Sequence, residues 1–428
     1  GPIQGNMVHP FLKRRNGEIP ESYPNEEIKQ VLKRTMGVPI FQEQVIKLAM
    51  VAAGFSGGEA DQLRRAMASW GRNGDLYQFK PKLLNGMLKR GYHPEFAERV
   101  FEQMKGFGSY GFPESHSASF AILAYFSSWL KRHHSAAFYC ALLNSQPMGF
   151  YTPSQLVQDA IRHQLKILPV DIDHSLWGSD IIFKSSTTPQ TIRLGFHLVK
   201  GFNQMAAERI IQQRELKSFN NIKDLVFRCQ LNAIEKDALV QANALPRLAK
   251  NRYQAQWQSL AIEQQKPLLE PLDTSAHPPS LLEQSITPPS AVEDMLADYK
   301  TTGMTLKQHP IALMRSHGWI EPCKRASDLK NMRQNQFVKV AGVVSCRQRP
   351  GTAAGVLFIT LEDETGNMNV IVWKNTLEKF RREILTSKLL LIKGVIERER
   401  KVVHVIAGHI TDISDKLPAF KKGSRDFH

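Results

Sequence analysis

The chain has 428 residues, 42% of them hydrophobic and 22% charged, with a formal net charge of +16. That length and apolar share exclude a disordered chain and suit several folded units. The charge excess points to a polyanion, nucleic acid before a membrane surface, and the lack of any apolar run of about 18 residues excludes a bilayer-spanning helix. Cys140, Cys229, Cys323 and Cys346 stand far apart with no CxxC pair. Neither a zinc ribbon nor a disulfide framework is expected, and a reducing cytoplasm is.

Residues 26 to about 165 read as helices joined by Gly/Pro turns. Within 42–52, Val45, Leu48, Ala49 and Ala52 recur at helical spacing. A second helix opens on the capping-box pattern Ser56-Gly57-Gly58-Glu59 and carries Leu63 and Met67 on one stripe, with Arg64 and Arg65 beside it. A third follows Ser115, with Ile122, Tyr125, Phe126 and Trp129 as its expected buried face. From 166 to 250 come short helices with tight hairpins, and the prolines of 264–292 mark a linker. A short helical segment over 293–299 follows. Strands are then expected at 336–346, 356–362, 367–374, 388–397 and 402–413, with a helix at 376–384 between the third and fourth. That is the order of an OB-fold, a small five-stranded β-barrel.

Candidate functional residues fall in four places. The Gly-rich loop 106–112 runs into Pro113-Glu114-Ser115-His116-Ser117 and a helix, where free N–H groups and the Ser115 and His116 side chains could meet a phosphate; an ordinary capped connection is the alternative. Arg64 and Arg65 could serve the same anion or be a plain solvated face. In the barrel, Arg347 and Arg349 lie in the first loop, and Arg398, Arg400 and Lys401 at the turn between strands 4 and 5. Those loops flank the binding face of an OB-fold, so these residues would track a phosphate backbone while Phe358, outward by alternation, stacks on a base. Asp171-Ile172-Asp173 resembles a metal-binding carboxylate pair, but a structural segment is the stronger reading, and no metal site is expected here.

Three stretches resemble, in order, the fingers-domain signatures of bacterial DNA polymerase III alpha subunits, the C-family replicative-type polymerases: 41–45 (FQEQV), 60–67 (ADQLRRAM) and 110–117 (YGFPESHS). The Pro-Glu-Ser-His form at 113–116, together with 348–352 and 361–366, resembles the error-prone ImuC branch. The resemblance implies that Arg64, Arg65, Ser115 and His116 face the triphosphate of an incoming dNTP. Lys200-Gly201-Phe202-Asn203 resembles the turn of a helix-hairpin-helix, implying backbone contact to duplex DNA, and 219–245 would be a second, degenerate copy.

The implied fold class is multidomain, mainly α (fingers plus helix-hairpin-helix), followed by a C-terminal five-stranded OB-fold β-barrel. The implied units are fingers 1–168, helix-hairpin-helix 169–262, Pro-rich linker 263–292, helical connector 293–334, OB-fold 335–416 and tail 417–428. The implied parent is a cytoplasmic, nucleoid-associated bacterial DNA polymerase of damage-induced mutagenesis. It would bind primer-template DNA, both duplex and single-stranded, and would use magnesium. The palm carboxylates are expected upstream, so this fragment has no cofactor and is inactive alone. Implied partners are an ImuB-like Y-family accessory protein and the sliding clamp, reached through ImuB or through 265–269 (QKPLL). A ligase is disfavoured by the lack of Lys-x-Asp-Gly and a P-loop ATPase by the lack of its motif. A non-catalytic DNA-binding scaffold of a replication or repair complex is the alternative.

Overall fold

The computed structural model describes residues 8–73, 75–106, 113–149, 151–182, 191–262, 286–350, 355–399, 402–417, 420 and 425–427. It forms two compact units, residues 1–129 and 130–428, and the point of division lies inside a helix. Among the described residues no helix is long and apolar enough to cross a membrane.

The first unit is helical: α1 (Val8–Arg15), α2 (Glu26–Leu32), α3 (Gln42–Ala53), α4 (Gly57–Asn73), α5 (Lys80–Lys89), α6 (Pro94–Gly106) and α7 (Glu114–His133). Val45, Leu48, Ala49 and Ala52 of α3 are buried, as their spacing requires, and so are Leu63 and Met67 of α4. The Ser56 N–H donates to Glu59 Oε2 at 3.0 Å, closing the expected capping box. α5 crosses α3 so closely that a Cβ on Gly86 would stand 2.1 Å from the Ala53 carbonyl oxygen. Only glycine fits there. The expected burial of α7 is corrected: none of its residues is buried, and Ile122, Tyr125, Phe126 and Trp129 are all exposed.

The second unit opens with α8 (Ser135–Asn144) and α9 (Pro153–Arg162), then a small sheet. There β3 (Thr191–Arg193) lies between β1 (Lys166–Leu168), parallel to it, and antiparallel β2 (Asp180–Ile182). Sequence periodicity does not announce this sheet, because three residues are too few to show an alternation. Helices α10 (Gln204–Leu216), α11 (Ile222–Arg228), α12 (Ala233–Gln241) and α13 (Arg252–Leu260) share one core with α8, α9 and the sheet.

The connector comprises α14 (Ala291–Thr301), α15 (Pro310–Ser316) and α16 (Ala326–Leu329). It is anchored at both ends. Arg252 of α13, only 2% exposed, grips Asp294 and, at 2.6 Å, Asp298 of α14. On the other side Met295, Tyr299, Ile311 and Met314 pack against Ala341, Val343, Leu389 and Leu391 of the barrel.

The barrel has the OB-fold order: β4 (Phe337–Gln348), β5 (Leu357–Asp363), β6 (Gly366–Val372), α17 (Lys374–Lys379), α18 (Arg381–Thr386), β7 (Leu389–Glu399) and β8 (Val402–Asp412). The strands neighbour one another in the order β5-β6-β8-β7-β4, and pairing of β4 with β5 closes the ring. A short β9 (Arg425–Phe427) adds parallel to β4. Val338, Val340, Val344, Ile359 and Leu361 fill the interior.

Candidate nucleic-acid interface

The turn between 198 and 204 is shaped by Gly201 at φ +79°, in the left-handed region that favours glycine. Asn203 caps α10, its Oδ1 accepting from Ala206 N at 2.8 Å. The Lys200 N–H is spent on the Thr301 carbonyl, tying the turn to α14. Among the described residues the N–H groups of Gly201, Asn203, Gln204 and Met205 make no hydrogen bond, and all four residues are exposed. They form a cluster of free donors aimed at solvent. Phe202 is placed differently from its expected role: its ring is buried against Phe196, so only its backbone is near the surface.

α11 and α12 make the second hairpin, with Gln230 at φ +49° in its turn and Asn232 capping α12. The two hairpins are joined through Glu235, which is 4% exposed. Its carboxylate accepts from Asn203 Nδ2 at 2.6 Å, the Asn232 N–H at 3.1 Å and Arg209 Nη2 at 3.1 Å. Sequence reading missed this residue. Its only local signal is the Asn-x-x-Glu box at 232–235.

On the barrel the expected basic track needs correction. Arg347 is 5% exposed, and its Nε donates to the Ile384 carbonyl at 2.6 Å while Nη2 reaches Ser387 O, holding the end of α18. The cause is a bulge. Val344 pairs with Leu361 but Cys346 with Thr360, so Ser345 is an extra residue that reverses the alternation and turns Arg347 inward opposite Ile359. Arg398 is likewise occupied, its Nε on Met332 O at 2.8 Å and Nη2 on the Leu329 and Lys330 carbonyls at the end of α16. Both guanidinium groups act as caps on helix C-termini, where the macrodipole favours a cation. Arg400 and Lys401 lie outside the described residues.

What remains on the open face is compact. Phe358 is half-buried on the side of β5 away from Leu357, Ile359 and Leu361, directly opposite Ile371. Trp373, two residues further on, is 53% exposed. Arg349 is exposed, and its guanidinium and the Lys374 side chain both come within 3.9 Å of the point where a Cβ on Gly355 would stand. Two cations beside two aromatic rings suit a stacked, phosphate-bearing strand. Lys374 was missed because it belongs to a helix start and not to a loop.

In the first unit Arg64 and Arg65 share one carboxylate: Asp61 Oδ1 accepts from Arg64 Nε and Oδ2 from Arg65 Nε, both at 2.9 Å. Hydrogen bonds from Arg64, then Arg65, hold the Asp61 carboxyl below the usual carboxylate range. The trio keeps a net positive charge and stays largely exposed. Ser115 and His116 are exposed on the first turn of α7. The leading N–H of that helix, from Glu114, is taken by the Glu43 carboxylate at 2.8 and 2.9 Å, and Arg34 pairs with Glu114 at 2.5 Å. An internal anion thus stands at the helix start where a phosphate was expected. A cavity of about 550 Å³ beside it is lined by Arg34, Glu43, Lys47, Arg90 and Glu114, and by none of Arg64, Arg65, Ser115 or His116.

Asp171 and Asp173 are both engaged: Asp171 with the His174 ring and the Arg193 guanidinium, Asp173 with the Arg247 guanidinium at 2.7 and 2.8 Å. That is a structural network. Among the described residues no group of three or more His, Cys, Asp or Glu side chains is placed to hold a metal ion.

Residues 1–91 match the bacterial DNA polymerase III alpha subunit finger domain, 164–255 a helix-hairpin-helix motif and 338–413 an OB-fold nucleic acid binding domain. The three matches run in the order of a polymerase finger domain followed by two nucleic-acid-binding modules. Over its whole length the chain is 54% identical to error-prone DNA polymerase of Teredinibacter turnerae, 52% to that of Saccharophagus degradans and 54% to that of Vibrio parahaemolyticus. Throughout its length the chain is similar to bacterial error-prone DNA polymerases, and its first 91 residues match the finger domain of the polymerase III alpha subunit. It spans 41–42% of the length of these relatives.

Proposed function

We propose that this chain is the nucleotide-contacting and DNA-holding part of an error-prone translesion polymerase that acts in damage-induced mutagenesis. The observation that carries the DNA-holding role is the cluster of free N–H groups at Gly201, Asn203, Gln204 and Met205, exposed on a turn that Thr301 and Glu235 hold from behind. Backbone donors read phosphates and ignore base sequence. The hairpin takes duplex, and the Phe358–Trp373 face with Arg349 and Lys374 takes single-stranded template.

Arg64 and Arg65 meet the triphosphate, and Ser115 and His116 join them once Glu43 gives way at the start of α7. The parent enzyme uses magnesium, held by carboxylates outside this chain, so the 428 residues alone extend no primer. An ImuB-like accessory protein or the clamp recruits the parent; the peptide at 265–269 considered for the clamp lies outside the described residues.

Fluorescence anisotropy with duplex and single-stranded oligonucleotides tests the division of work. Gly201→Val forces a β-branched residue into φ +79°. It should weaken duplex binding and spare single strands. Equal duplex affinity in the variant would refute the hairpin assignment, and primer extension by the unaltered chain alone would refute the placement of the catalytic carboxylates.

A further inference from the structure

α7 is 20 residues long and buries none of them. Ile122, Tyr125 and Phe126 form a stripe at helical spacing, with Leu123 and Phe120 beside it, and these five side chains are 55–68% exposed. From Ser117 to Leu130 the helix has no Asp, Glu, Lys or Arg. An uncharged helix with an apolar stripe belongs inside a protein, and a contiguous exposed apolar patch marks an interaction surface. The lack of any cation excludes a phosphate backbone as the occupant. Apart from Trp129 and Leu130, the remaining positions, 117, 118, 119, 121, 124, 127 and 128, are all Ala or Ser, small enough for another backbone to approach closely. Such a face suits a permanent contact within one chain better than one that opens and closes. The relatives carry more than half of their length outside the region this chain matches.

We infer that α7 is the contact helix for the part of the parent polymerase lying outside this chain, which covers the Ile122–Tyr125–Phe126 stripe. The inference rests on the reading of this chain as part of such a polymerase.

Hydroxyl-radical footprinting read by mass spectrometry tests it on unaltered proteins, the 428-residue chain and the full-length parent. In the chain alone Tyr125 and Phe126 should oxidise as freely as their exposure allows, alongside Trp257, which is 56% exposed. In the parent their rates should fall tenfold or more while that of Trp257 holds. Equal rates in the two proteins overturn the inference. So does protection already present in the chain alone, which means cover by its own second unit if light scattering gives a monomer, or by a second copy if it gives a dimer. The same parent preparation is assayed for primer extension. Extension with α7 unprotected refutes this inference alone, and protection without extension refutes the polymerase reading alone.

Discussion

Asn203 and Glu235, 32 residues apart, are joined by a 2.6 Å hydrogen bond that locks the start of α10 to the start of α12. Asn203 uses its oxygen to cap its own helix and its amide to reach Glu235, so one side chain serves both hairpins. Glu235→Ala leaves Arg209 and Asn203 facing an emptied site. Glu235 is buried but the Arg209 side chain is 34% exposed, so the cost should fall below the about 3–5 kcal/mol of a fully buried ion pair. The expected result is a lower unfolding temperature and weaker duplex binding, with Glu235→Gln intermediate. Duplex affinity unchanged in Glu235→Ala would show that the hairpins work independently.

Two arginines separated by one residue should behave oppositely. Arg347→Ala removes the cap on α18 and leaves buried carbonyls unsatisfied, so the barrel should lose about 1–3 kcal/mol. The salt dependence of single-strand binding should not change. Arg349→Ala with Lys374→Ala should leave the melting temperature alone and flatten the salt slope by about 1.4 log units per decade, ~0.7 for each lost contact. Thermal melts and anisotropy over a salt series separate the outcomes.

In the full-length parent, Arg64→Ala or Arg65→Ala should raise the apparent Michaelis constant for dNTP and lower turnover. Each change removes a charge-assisted phosphate contact worth about 1.5–3 kcal/mol. Asp61 then keeps one partner, and α4 stays seated by its buried Leu63 and Met67. Steady-state kinetics identical to the unaltered enzyme in both variants would mean the pair is only a surface feature.

Asp159 sets an acid limit on the second unit. Burial raises its pKa, but the hydrogen bonds from Lys131 Nζ at 2.7 Å and the Tyr139 hydroxyl at 2.5 Å prevail, and it falls below the ordinary 3.8. Because the folded value is depressed, the stabilisation is fully present above pH 3.8 and is lost as pH falls through the lower folded value. Asp159→Asn should therefore lower the melting temperature at pH 7, and the gap to the unaltered chain should close under acid. A gap constant from pH 7 to the acid limit would remove the carboxylate from the account.

The barrel was legible because its strands alternate and because a helix interrupts them once, between the third and fourth. The capping box at Ser56 and the stripe on α3 were legible for the same reason, since each is a local pattern. Arg347 was misread because the strand was expected to end at 346, whereas β4 runs on to Gln348 and the extra residue at Ser345 turns Arg347 inward. The stripe on α7 was legible as a helical pattern, but its expected burial is absent, because spacing shows which residues share a face and not what covers it. Glu43 at the α7 start and Glu235 beneath the hairpin were invisible, since their partners lie 71 and 32 residues away and such contacts exist only after folding.

The anchored connector changes what the Pro-rich stretch before it means. With Thr301 holding Lys200, Arg252 gripping α14, and α14 and α15 pressed on the barrel, the hairpin and the barrel cannot drift apart however long the intervening chain is. The second unit is a caliper. If duplex sits at the hairpin and single strand at the barrel, as proposed, the number of nucleotides between them is set by packed side chains, as a ruler mark is set by its rule.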